Sequence, residues 1–181
     1  MSSRTTPWAD IADLSFRPVV RLVVRVGAVP AAVVLPALCF QLAVEWGSGS
    51  YGGSLLFVHL LVVVVAGLAG SYSLHEVAHL LAARRWYPAG TQAAWQLTVL
   101  RVSLLTRGVP PVRGARALVA AAGPLSCVVL GAVMAVVSAP TWLWAWYLCH
   151  GVFLLPVFGD GITVWRYLWR HCVRRSGEPG D

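Results

Sequence analysis

His75-Glu76-Val77-Ala78-His79 is the part of this 181-residue chain whose residue types and spacing most directly imply chemistry. Side chains four apart share one helical face, so both imidazoles can reach a single cation while the carboxylate between them is displaced toward a reacting water. Two neutral imidazoles hold Zn²⁺ without cancelling its charge, a third ligand completes the protein side, and an open fourth position keeps a water whose pKa the ion lowers. The pattern therefore points to a zinc site at His75 and His79 with Glu76 as general base. The competing reading is two packed histidines and a glutamate on a buried face. It must explain three costly polar groups in a segment that elsewhere reads Val-Val-Val-Val.

Asp160 is the best third ligand, being the one acidic residue in or bordering the last two apolar segments. Counted from the arginine boundaries, His79 and His75 lie five and nine residues before Arg84, and Asp160 lies six before Arg166. At about 1.5 Å per residue these are depths of roughly 8, 14 and 9 Å. Pro156 and the glycines at 159 and 161 would loosen a helix there and let the carboxylate approach a neighbour. Alternatively, Asp160 caps a juxtamembrane helix that begins near Gly161. The other histidines are weaker candidates: His59 is about 24 Å from His75 along one helix, and His150 is about 15 Å from Asp160 if that helix is straight. His150 thus reads as a packed or hydrogen-bonded residue, and His171, among arginines, as cytosolic.

These residues must be positioned by membrane helices. The composition is 58% apolar and only 12% charged, with a mean hydropathy of +0.71, which excludes an ordinary soluble domain and a disordered tail. Val26 to Val44 is a run of 19 uncharged residues, close to the roughly 20 that a helix needs to cross a bilayer. It holds Pro30 and Pro36 and reads as a retained anchor rather than a cleaved signal. A second span runs from about Ser54 to Ala83 and ends at Arg84 and Arg85. The uncharged stretch from Ala117 to Phe158 is too long for one helix and divides at Ala139-Pro140-Thr141 into a third and a fourth.

All 14 basic residues are arginines, and every one falls before the first span, between the second and third, or after the fourth. By the positive-inside rule both termini and the middle loop are cytoplasmic. The net charge of +7 is then a topology signal with anionic lipid contact as a by-product, and nucleic-acid binding is not expected. All-arginine usage with abundant Ala, Val and Gly suggests a high-GC bacterial source and a multi-pass plasma-membrane protein. Within the middle loop, Ala94 to Leu104 is rich in strand formers and predicts a short strand or hairpin, with an amphipathic surface helix as the competing assignment. Cys39, Cys127, Cys149 and Cys172 show neither paired nor regular spacing and read as small apolar fillers. The predicted fold is an all-α polytopic membrane protein of about four spans with that strand or hairpin between the second and third.

Three motifs in order then resemble the site-2 protease family of intramembrane zinc metalloproteases. They are His75-Glu76-Val77-Ala78-His79, Ala122-Gly123-Pro124-Leu125-Ser126, and Leu154-Leu155-Pro156 leading to Asp160-Gly161. The likeness covers about Ser54 to Trp169. It implies a three-helix catalytic core, zinc held by His75, His79 and Asp160, Glu76 as general base, and cleavage of a peptide bond in or beside a substrate's membrane helix. It also implies strand-like structure after the first core helix that pairs with an unwound substrate. The chain departs from the family at Cys127 and Phe153, where asparagines are common, and the interval from Pro156 to Asp160 is one residue short. A substrate-positioning or oxyanion role at those asparagines therefore does not carry over.

On this reading residues 1–25 are a cytoplasmic N-terminal segment, 26–53 the first span and outer loop, 54–170 the metalloprotease core of three spans, and 171–181 a cytoplasmic tail. The expected partners are a membrane-spanning protein or peptide substrate, the bilayer, and a regulatory membrane protein, since no appended sensor domain is evident. Two rivals use the same ligands without proteolysis: a metal-binding membrane scaffold, favoured by Cys127 and Phe153, and a small metal transporter. A serine protease is poorly supported, because Ser126 lacks a Gly-x-Ser-Gly setting.

Overall fold

The computed structural model describes residues 4–50, 52–97, 102–107 and 114–176. Helices dominate. α1 spans Arg17–Ser48 and carries Pro18 in its first turn, where a missing N–H costs nothing. It starts eight residues before the predicted arginine boundary and contains Pro30 and Pro36 without ending. Its far end is clasped to the next helix by Glu45, 4% exposed, whose Oε1 accepts the N–H groups of Gly52 at 3.1 Å and Ser54 at 2.7 Å. A carboxylate there satisfies two N–H groups that the helix start leaves without partners.

The second long helix runs from Gly53 to Trp86 in three parts: α2 (Gly53–Val62), a π-helical stretch (Val63–Gly70) and α3 (Ser71–Trp86). Sequence periodicity predicts continuous helix here and gives no sign of the wide turn. Tyr147 supplies its reason. Its hydroxyl donates to Ala66 O at 2.9 Å, and a Cβ on Gly70 would lie 2.8 Å from that hydroxyl. α4 is Ala115–Val136, and the chain breaks at Ala139 and Pro140 as expected before α5 (Thr141–Leu148). A 3₁₀ segment, Cys149–Leu154, leads through a turn to α6, Gly159–Ser176.

Among the described residues three helices, Arg17–Ser48, Gly53–Trp86 and Ala115–Val136, are long and apolar enough to cross a membrane. A fourth such span exists if the pair Thr141–Leu154 and Gly159–Cys172, bent by 49°, is taken as one. Outward-facing apolar side chains such as Val33, Phe40, Leu56 and Val129 are exposed along these helices.

The predicted hairpin is present as β3 (Gln92–Leu97) and β4 (Val102–Arg107), antiparallel from Gln92↔Arg107 to Leu97↔Val102. Residues 98–101, part of that prediction, lie outside the described ones. The N-terminal segment adds what the sequence reading missed: β1 (Arg4–Thr5) and β2 (Ala9–Asp10) pair with the other edge of β3, through Arg4↔Leu97 and Ala9↔Ala93. Thr6 fills the gap between them, its N–H donating to Trp95 O and its hydroxyl accepting the Trp95 N–H, each at 2.9 Å. Trp95 is fully buried among Ile11, Val19, Leu80 and Val102, meets Phe16 edge to face, and donates its indole N–H to Ser15 O at 2.8 Å. Burying a side chain of this size contributes about 1.5–3 kcal/mol or more. This small core, under the helix ends, fixes the hairpin to α1 and α3.

Arg84 ties the N-terminal segment to α3 by donating to Ile11 O at 3.1 Å and Leu14 O at 3.0 Å. Arg84→Ala should cost about 1–2 kcal/mol. The change is expected as faster hydrogen exchange over residues 4–14 with unchanged protection in α4. Equal exchange in both proteins would show that the clamp carries no load.

Candidate metal centre

α3 brings His75, Glu76 and His79 to one buried patch; they are 7, 5 and 8% exposed. The two imidazole rings meet edge to face at 4.6 Å, with the Nε2 atoms 3.0 Å apart. Asp160, in the first turn of α6, sets its Oδ2 3.2 Å from His75 Nε2 and 3.5 Å from His79 Nε2. The carboxylate thus does begin a helix, as the capping alternative requires, but it is turned toward the imidazoles.

These three atoms fit a metal ion. Bonds of about 2.0–2.1 Å in a tetrahedral zinc site place the ligand atoms about 3.3–3.4 Å apart. The triangle of 3.0, 3.2 and 3.5 Å matches one face of such a tetrahedron. His79 is also oriented correctly. Its Nδ1 donates to Val119 O at 2.6 Å, which places the ring proton there and leaves the Nε2 lone pair for a cation.

Two glycines make the arrangement sterically possible. A Cβ on Gly123 of α4 would lie 2.5 Å from His79 Nε2 and 2.9 Å from His75 Cδ2, so only a glycine lets that helix pack against the pair. The residue appears in the sequence motif, but its reason appears only in three dimensions. At Gly161 a Cβ would overlap the carbonyl of Leu155. The turn between Leu155 and Phe158 is therefore tight, and it is pinned by Trp165, whose indole donates to Leu154 O at 3.0 Å, and by Ile162 N donating to Phe158 O at 2.7 Å. This turn aims Asp160 back at α3.

The ligands open onto a cavity of about 600 Å³. Glu76, Tyr72, residues 102–104 and Thr106 of β4, Arg116, His150 and Phe153 contribute to its wall. The Tyr72 hydroxyl accepts the Val102 N–H at 2.8 Å, tying the start of β4 to α3 one turn before His75. The outer edge of β4 pairs with no strand among the described residues. Tyr87, past the end of α3, has its phenol pushed above its ordinary value by burial and remains a neutral donor at the cavity wall.

Straight-helix counting misplaces one residue. The bend brings the His150 ring to 5.9 Å from that of His75, while its Nδ1 donates to Trp146 O at 3.2 Å. Pro156, with Gly159 and Gly161 around Asp160, was the available signal. Phe153 packs edge-on against His75 at 5.5 Å and against Phe158 at 5.1 Å. The filler reading of the cysteines holds for Cys127 alone, fully buried with its thiol donating to Ser71 O at 3.3 Å; Cys39, Cys149 and Cys172 are exposed. His59 Nδ1 donates to Leu55 O at 2.7 Å within its own helix and its ring meets Trp142 edge to face at 6.2 Å, while His171 stacks on Tyr167. No family model, curated protein or solved structure matches the chain.

Gly123→Ala should lower divalent-metal affinity at least about tenfold, the scale of disturbing ligand orientation. Gly67→Ala is the control, since its Cβ would make ordinary 3.7 Å contacts with Trp146. Competition with a chromophoric chelator measures both. Equal affinities in the two variants would refute the steric role of Gly123.

Proposed function

We propose that this chain is an intramembrane zinc metalloprotease of the site-2 protease type, cutting a peptide bond in or beside a membrane helix of a protein or peptide substrate. The observation that carries the reading is the triangle of His75, His79 and Asp160 atoms, with buried Glu76 in the same cavity wall. The long apolar helices support multi-pass insertion. By the positive-inside rule applied to the arginines of the sequence, both termini and the hairpin face the cytoplasm.

His75, His79 and Asp160 would hold the ion. Bound zinc supplies Lewis acidity, which lowers the pKa of a water and polarises a carbonyl. Glu76 takes the proton of the attacking water and returns it to the leaving amine. Tyr72 holds the first residue of β4 beside these groups, so a substrate strand aligned along the unpaired β4 edge presents its backbone to the cavity. The apolar helices keep bulk water away, and water enters through the cavity.

One observation favours a second reading. The Phe153 ring covers His75 at a position where the resembling family carries an asparagine, and a metal-holding scaffold needs no polar group there.

Glu76→Gln separates the two. In proteoliposomes containing a candidate membrane peptide, the variant should retain one zinc per chain and lose cleavage by at least about a hundredfold, the usual contribution of general acid–base catalysis. Asp160→Ala should lose the zinc. Stoichiometric zinc in a wild type that turns over no membrane peptide supports the scaffold, and cleavage surviving Glu76→Gln removes the assigned base.

A further inference from the structure

The second nitrogen of His75 is the one buried side-chain nitrogen or oxygen among the described residues without a hydrogen-bond partner. His75 is 7% exposed, yet its Nδ1 meets no acceptor. Around the same ring stand two further soft or borderline donors from separate elements: Cys127 of α4 and His150 of the 3₁₀ segment. One ligand atom from each of His75, Cys127 and His150 lies within 4.8 Å of the other two.

We infer that His75, Cys127 and His150 form a second cation site, distinct from the His75–His79–Asp160 triangle, and that its ion is Cu(I). The donor set decides the chemistry. A thiolate selects soft cations, and Cu(I) is the one among the common biological ions that combines softness with a single charge. One thiolate, two neutral imidazoles and Cu(I) sum to zero. The same donors around a divalent ion leave one positive charge that the donor set does not offset, and such charge is costly among apolar helices, whereas at the first site Asp160 and neighbouring Glu76 together match a divalent ion. Three donors also satisfy Cu(I), whereas the triangle with Asp160 has a carboxylate and an open position that suit zinc.

Bonds of about 2.0–2.3 Å need ligand atoms about 3.5–4 Å apart, so the site must contract by up to about an ångström. His150 supplies the movement, because it sits in the short 3₁₀ segment and not in a packed α-helix. The fully buried Cys127 thiol gives its proton to solvent by way of the His150 imidazole, which lines the cavity, and exchanges its bond to Ser71 O for the metal. His75 and His150 both line that cavity, which is the route of entry.

The two sites share His75. A neutral imidazole carries one ring proton and one lone pair, so it cannot serve Cu(I) through Nδ1 and a second ion through Nε2 without losing that proton. Cu(I) and the divalent ion therefore exclude one another, and copper acts as an off switch for the first site. The exclusion rests on the proposed first site; the copper site itself does not.

The test uses the full chain in detergent with Cys39, Cys149 and Cys172 changed to Ser, under anaerobic conditions, with Cu(I) delivered from bicinchoninate. One equivalent should bind, and X-ray absorption at the copper edge should show one sulfur and two nitrogen neighbours. Cys127→Ser and His150→Ala should each weaken binding at least about tenfold, the scale of losing one ligand or its support, while His59→Ala, about four turns away on the same long helix, leaves it unchanged. Co(II) uptake in Cys127→Ser reports that this variant is folded. Unchanged Cu(I) affinity in Cys127→Ser, or absence of sulfur around copper, overturns the site. Cu(I) added to Co(II)-loaded protein should displace the cobalt and abolish its visible bands; bands that persist overturn the exclusion. Failure of the protein to take up Co(II) at all, with Cu(I) still bound, counts against the protease reading and leaves the copper site standing.

Discussion

Two imidazoles and a carboxylate can stand among apolar helices only if they answer one another. Each alone would carry a desolvation cost of several kcal/mol. Brought together with nitrogen and oxygen atoms 3.0–3.5 Å apart, they form a cluster that could hold a metal ion. The rest of the architecture meets that constraint. α4 presents a glycine where any side chain would push the imidazoles aside, Val119 O fixes one ring, and the helix after α5 breaks so that Asp160 can turn back. The wide π turn before α3 belongs to the same arrangement, since Tyr147 and Trp146 of α5 bond to Ala66 O and Ser71 Oγ and thereby lock α5 to the helix that carries the histidines.

Much of this was legible in the sequence because it rests on local rules. The His-x-x-x-His spacing fixes a shared face, Ala139 and Pro140 end a helix, and the strand formers around Trp95 announce a hairpin. Asp160 was found by elimination and by depth, and both arguments depend only on the rise of a helix. The parts that were not legible depend on contacts between distant segments. Residues 4–10 have no strand signature beyond a few polar and small residues, and they become β1 and β2 only because β3 offers an unpaired edge. Nor does a hydropathy pattern show that Gly123 faces imidazoles, or that His150 leaves the path of a straight helix to lie beside His75.

Phe153 and Cys127 show how a resemblance and a structure inform each other. As sequence departures they only subtract a role that asparagines would play. In three dimensions they acquire surroundings: an aromatic ring edge-on to His75, and a fully buried thiol leaning on the carbonyl of Ser71, one turn before the first histidine. Both positions lie against the same imidazole. The side of His75 that faces away from Asp160 is thus as specialised as the side that faces it.

The pairing of the N-terminal segment with β3 reaches beyond the sheet. Arg4, Thr5, Ala9 and Asp10 are stitched to a strand that follows them by more than eighty residues, and Trp8 stacks under the Arg107 guanidinium at 4.2 Å. Two segments joined edge to edge must share a compartment, so the chain between them traverses any bilayer an even number of times. α1 and the helix from Gly53 to Trp86 satisfy that parity as a single hairpin turned by Glu45. Parity holds whichever way the molecule is inserted and owes nothing to the distribution of arginines, so backbone pairing by itself constrains the topology.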